Sequence, residues 1–230
     1  MLSMFLKHLS LRSSILATLV YSSLVSLGFL VVHIIDTRGF IYWYLGWNLL
    51  LAWVPLLLVG WLLRSLRDYP WLNWRPMILT VLWVGFLPNS FYLVSDLIHL
   101  QNAATTHILF DSMMLESFAI NGLILGFLSL YLIHVQLLKR LNRRTVTGLI
   151  GLVLVLCSFA IYLGRDLRWN SWDLLVNPVG ILFDVSNQFI DPGAHIQALT
   201  TTTMFLVLLG SLYAVAWRLT RLLRLLHQQH

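Results

Sequence analysis

Long apolar stretches, broken at intervals by short polar segments, set the pattern of this chain. A helix of about 20 apolar residues crosses a hydrocarbon core about 30 Å thick. Six stretches qualify: Ser13–Ile35, Phe40–Leu63, Pro76–Ile98, Ser112–Leu138, Val146–Leu163 and Ile196–Trp217. The pattern predicts an all-α, polytopic membrane helix bundle, one integral membrane domain over residues 1–230. The connection 164–195 is too long for a turn, and Asn177-Pro178, Asp184 and Asp191-Pro192-Gly193 interrupt it too often for a seventh span. It is expected to be an external helical segment at the membrane interface, with the depth of 174–190 left open.

The polar residues between the spans give an orientation. With the amino terminus in the cytoplasm, the inner segments hold twelve of the fifteen basic residues, and only Arg38, Arg165 and Arg168 lie outside. Every loop then obeys the positive-inside rule, with both termini cytoplasmic. Lys7 and Arg12 precede a first span too long for a signal peptide and without a small-x-small cleavage site, so it is expected to be retained. Eight of the nine acidic residues fall on the outer side or near the outer helix ends, and Asp68 alone is cytoplasmic.

Composition agrees with lipid as the solvent. Of 230 residues, 59% are hydrophobic and 10% charged, against about 25% charged in soluble domains, and mean hydropathy is +0.81. A disordered chain, a disulfide-stapled module and a soluble enzyme are excluded. Cys157 is the only cysteine, so no intramolecular disulfide and no cysteine-based zinc site can form. The net charge of +6 follows from the cytoplasmic arginines and points to anionic lipid at that face, not to nucleic acid. The lipid bilayer is thus the first partner expected. No protein partner is indicated.

Polar residues inside spans are costly and usually point inward. Asn48, Asn89 and Asn121 lie eight or nine residues from the outer ends of three different spans, roughly 12 to 14 Å deep at 1.5 Å per residue. They are expected to share one hydrogen-bonded layer, with Ser26 at a similar level. In the third span, Asn89, Tyr92, Asp96 and His99 fall within an arc of about 80° and form one polar stripe. Pro88 cannot donate to the carbonyl of Val84, so a bend or break is expected beneath the stripe. In the fourth span, Gly122-x-x-x-Gly126 and Ser129 make a face for close helix contact. Glu116 and Asn121 differ by about 140° and cannot share one narrow cavity.

Asp96 and His99, at i and i+3, are the candidate catalytic pair, as a base and its orienting partner or as two ligands of a metal. Zinc sites commonly use three protein ligands; His107 or Asp111 would have to complete the set. No cofactor is required: a Gly-rich phosphate loop, Gly-x-Ser-x-Gly and His-Glu-x-x-His are all missing. Arg165 and Arg168 suit a phosphate or carboxylate. Asn48, Asn89, Tyr92, Asp111, Asn170, Trp172 and Asp173 join them as candidate substrate-binding residues.

Three ordered motifs carry a resemblance. Asn48-x-x-Leu51-Ala52-Trp53-x-Pro55, the segment from Leu87-Pro88-Asn89 to Asp96-Leu97-Ile98-His99, and Leu163-Gly164-Arg165 to Arg168-Trp169-Asn170-Ser171-Trp172-Asp173 are similar to those of a bacterial membrane family catalogued as domain of unknown function thirteen sixty-one. The resemblance runs from about Asn48 to the last span. It implies a multi-span protein of the bacterial cytoplasmic (inner) membrane and supplies no activity.

The function expected from the residues is a polar pocket opening to the outer face that binds or processes a lipid or other anionic amphiphile. The alternatives are a non-catalytic assembly or partner-binding subunit and a small-solute transporter. The polar groups concentrate in the outer half, while the inner halves offer little beyond Thr80, His134 and Tyr213.

Overall fold

On α2 (Tyr44–Asp68) the buried residues Leu45, Leu49, Ala52, Leu56, Val59, Leu62 and Leu66 recur every three or four positions, while Leu50, Leu57 and Trp61 face outward. One stripe therefore packs on protein, and the other is an apolar surface that only lipid would solvate. The same division holds through a computed structural model that describes residues 2–102, 108–167, 169, 176, 177, 179, 180 and 192–227. Its other helices are α1 (Leu2–Thr37), α3 (Trp74–Ser95), α4 (Ile108–Leu138), α5 (Arg143–Asp166) and α6 (Pro192–His227), with a 3₁₀ segment, Asp96–Asn102, continuing α3. All six α-helices contain a stretch long and apolar enough to cross a membrane, making the chain a multi-pass membrane bundle.

The local signals at the helix ends are legible. Asn73 and Asn142 cap α3 and α5, their side chains accepting from the backbone N–H groups of Arg75 and Thr145 at 3.2 and 2.8 Å. Between α1 and α2 the chain turns at Arg38, in the left-handed region with φ 50°, and Thr37 Oγ1 accepts from the Gly39 N–H at 3.3 Å.

α3 is the axis of the bundle, packed against α2, α4 and α5; α1 docks on α4 and α2, and α6 on α5 and α4. Gly122 and Gly126 are what let α4 approach. A Cβ on Gly122 would overlap the Ser90 carbonyl, and one on Gly126 would stand 2.6 Å from Phe91 Cε1. The small-residue face thus meets α3 of the same chain. With little hydrophobic force between helices in lipid, hydrogen bonds help fix neighbours. Trp83 Nε1 donates to Ser129 Oγ at 2.7 Å, Trp53 Nε1 to Ser23 Oγ at 3.1 Å, and Ser90 Oγ to the Ala52 carbonyl at 2.9 Å.

Two expectations change. α3 is not broken at Pro88: it runs through to Ser95, and the helix changes type eight residues after the proline, at Asp96. α2 starts at Tyr44, because the apolar run from Phe40 to Trp43 forms a turn. The end of the bundle holding Thr37, Tyr44, Ser95, Ile108 and Asp166 is called the acidic end below. The end holding Arg67, Arg75, Lys139 and Arg143 is the basic end.

A candidate pocket at the acidic end

α2 and α5 both pack on α3 and leave a cavity of about 590 Å³ between them. The spacing of α3 delivers Asn89, Tyr92, Asp96 and His99 to one wall, as the stripe in the sequence predicts, and α2 adds Asn48. The facing wall is apolar: Leu156, Phe159, Ala160 and Leu163 of α5, with Trp47 and Leu51 of α2. Such a chamber suits a molecule with one polar and one apolar part.

Asp96 is the polar centre. It is 3% exposed, and its Oδ2 accepts from Asn48 Nδ2 at 3.1 Å. It stands at the junction where α3 ends and the 3₁₀ segment Asp96–Asn102 begins. A buried carboxyl at that position works against stability, and such violations of local rules collect at functional sites. Arg165 acts on Asp96 and Tyr92 electrostatically from the end of α5, without a direct ion pair. Gly164, beside it, leaves room for the Tyr92 ring, since a Cβ there would stand 3.1 Å from Tyr92 Cε2.

His99 is held from two sides. Its ring packs edge-on to Tyr44 at 5.5 Å, and its carbonyl accepts from the Tyr42 hydroxyl at 3.4 Å. Burial, and then the Asp111 carboxylate, push the Tyr42 phenol above its ordinary range, so this O–H stays protonated. Tyr44 lines the pocket too, a position that the polar pattern of the sequence does not mark. Its hydroxyl is buried with no hydrogen-bond partner among the described residues, and its spacing of four from Asn48 was the available signal.

Other residues go elsewhere. Asp111 does not line the pocket: its Oδ1 stands 2.9 Å from His33 Nδ1, with both side chains buried. The asparagine layer separates into three. Asn121 Nδ2 donates to Ser26 Oγ at 2.9 Å and reaches the Ser22 and Ser117 carbonyls, Asn89 Nδ2 donates to the Phe86 carbonyl at 3.0 Å, and Asn48 serves Asp96. Depth along a helix does not fix which neighbour a side chain faces, and the later start of α2 moves Asn48 outward. Glu116 is exposed while Asn121 is buried, as their angular separation requires.

Arg168, Asn170, Trp172, Asp173 and His107 lie outside the described residues. Among the described residues no three His, Cys, Asp or Glu side chains converge as a metal site. The family model described as a protein of unknown function (DUF1361) matches residues 47–214. No curated protein and no solved structure matches the chain.

Proposed function

This chain belongs to the DUF1361 family of proteins of unknown function, and from that premise we propose that it binds, and at Asp96 and His99 processes, a lipid or other anionic amphiphile in the pocket between α2, α3 and α5. The protein is a component of the bacterial inner membrane with its basic end and both termini in the cytoplasm, so the pocket opens at the outer face. The distribution of Lys and Arg supports that orientation. The observation that carries the reading is a buried carboxyl held by Asn48 on the polar wall of a cavity whose other wall is apolar.

The amphiphile's chain lies along Phe159, Leu163 and Leu51, and its polar part meets Asn89, Tyr92 and Asp96. Arg165 draws in the anionic group, and Arg168, Asn170, Trp172 and Asp173, which follow it in sequence, are further candidate binding residues. Asp96, held by Asn48, acts as the general base towards the bound group, and His99, on the same wall, is its candidate partner.

Two observations favour this over the alternatives. The glycine face that would recruit a partner subunit is occupied by α3. Between α2 and α3, from this pocket towards the basic end, the buried side chains of Leu62, Trp83 and Leu87 fill the interior, where a transporter needs polar groups.

The test is complementation of a deletion strain, with lipid extraction and mass spectrometry of the purified protein. Asp96→Asn and Arg165→Ala are expected to lose complementation and the co-purifying amphiphile at unchanged protein level and detergent melting temperature. Full complementation by both variants, or loss only together with folding, refutes the proposal.

A further inference from the structure

The opposite end of the bundle holds a second cavity, of about 670 Å³, between α4, α5 and α6. Arg143, Arg218 and Arg221 form its rim, and Gly151, Leu154 and Gly210 line its shaft. A smaller cavity of about 360 Å³ shares Arg143 and Arg221 and adds Lys139. No carboxylate among the described residues forms an ion pair with these cations, and Asp68 is the one acidic residue that the sequence puts at this end.

The shaft has a length that means something in a membrane. From Arg143 to Leu154, and from Arg221 back to Gly210, the helices rise about 16 Å. That is about half of a hydrocarbon core of 30 Å, the depth of one leaflet. An added Cβ on Gly151 or on Gly210 would meet nothing within 4 Å, so both glycines border open space. The back wall is fixed: Tyr213 hydroxyl and His134 Nδ1 are 2.9 Å apart, and the imidazole stacks on the Trp217 indole at 3.8 Å and 7°.

We propose that this cavity is a binding site for an acidic phospholipid, with the phosphate held by Arg143, Arg218 and Arg221 and one acyl chain in the shaft. The rim supplies guanidinium forks suited to phosphate, and basic pockets between membrane helices are a known form of lipid recognition. A free phosphate would use the rim and leave the leaflet-deep apolar shaft empty. The site is separate from the pocket at the acidic end and does not rest on the function proposed there.

The test uses the full chain, purified in detergent and titrated in native mass spectrometry with phosphatidylglycerol, with phosphatidylcholine of the same chains, and with inorganic phosphate as competitor. Phosphatidylglycerol is expected to be retained about tenfold better than phosphatidylcholine, a difference of about 1.4 kcal/mol, because the choline cation cancels the net charge of the headgroup and is repelled by the arginine rim. Arg218→Gln with Arg221→Gln should remove that preference. Gly210→Leu, which fills the shaft and leaves every charge in place, should weaken phosphatidylglycerol retention about as much. These three positions are not in the buried core, and each variant is checked for an unchanged melting temperature without lipid. Arg64→Gln with Arg67→Gln, which removes two exposed cations outside the cavity, should change nothing. Three results overturn the proposal: an equal loss from the Arg64 and Arg67 pair, full retention by Gly210→Leu, or displacement of the lipid by inorganic phosphate at equal concentration.

Discussion

Replacing Asp96 in two ways separates its charge from its shape. Asp96→Asn keeps an oxygen that can accept from Asn48 Nδ2, now 3.1 Å from Asp96 Oδ2, and removes a buried ionisable carboxyl. Its folded state should be as stable as the wild type or more so. Asp96→Leu leaves the Asn48 amide without that acceptor, at a cost of about 2 kcal/mol, within the range for a stranded polar group. For a chain of this size that lowers the melting midpoint by about 4 to 8 °C. Asn48→Leu alone should cost a similar amount, and the Asn48→Leu, Asp96→Leu double variant should cost less than the sum by at least about 1 kcal/mol. Thermal unfolding in one detergent, followed by tryptophan fluorescence, measures all four. If Asp96→Leu melts no lower than Asp96→Asn, or if the two leucine substitutions add without coupling, the bond is not holding the pocket together and the reasoning fails.

Gly122→Ala should destabilise the bundle by about 3 kcal/mol, at the upper end for overpacking, because its Cβ overlaps the Ser90 carbonyl. Gly148→Ala, with nothing within 4 Å, should gain up to about 1 kcal/mol from helix propensity; melting curves of the pair decide. Asp111→Leu removes the partner of buried His33 and should lower stability by about 1 to 3 kcal/mol while complementation persists, since Asp111 does not line the pocket; lost complementation at full stability would contradict this. In a Cys157→Ser background, single cysteines near Trp172 should react with an impermeant maleimide in intact cells and those near Arg143 only after permeabilisation, and the reverse pattern overturns the orientation.

Much of the bundle was legible because lipid imposes a one-dimensional rule: a segment either has enough apolar length or it does not. The polar stripe was legible because Asn89 and Tyr92 share α3 and the 3₁₀ segment that continues it without a loop carries Asp96 and His99 to the same wall. Relations between helices were not. Asn48 and Asn121 appear level by residue count, yet one faces Asp96 and the other Ser26, since rotation about each helix axis is set by packing. His33 and Asp111 lie 78 positions apart in different helices, and only the docking of α1 on α4 brings them together. The aromatic run from Phe40 to Trp43 reads as helix by hydropathy and folds as a turn, so apolar length overstates where a helix begins.

The bonds of α1 also bear on the order in which the molecule assembles. Besides the apolar packing of Leu19 and Leu30, three polar ties between residues 23 and 33 hold it: Ser23 to Trp53, Ser26 to Asn121 and His33 to Asp111. During synthesis α1 enters the membrane before α2, α3 and α4, yet two of those three partners sit on α4. A helix inserted in lipid gains little from apolar contact with its neighbours, so until α4 arrives α1 is held by the Trp53 bond and by the packing of Leu27, Leu30 and His33 against Gly46 and Tyr42. Closure of the bundle is therefore a late event that α4 triggers, and a chain truncated after α3 should leave its first helix free to leave or to meet the wrong neighbour.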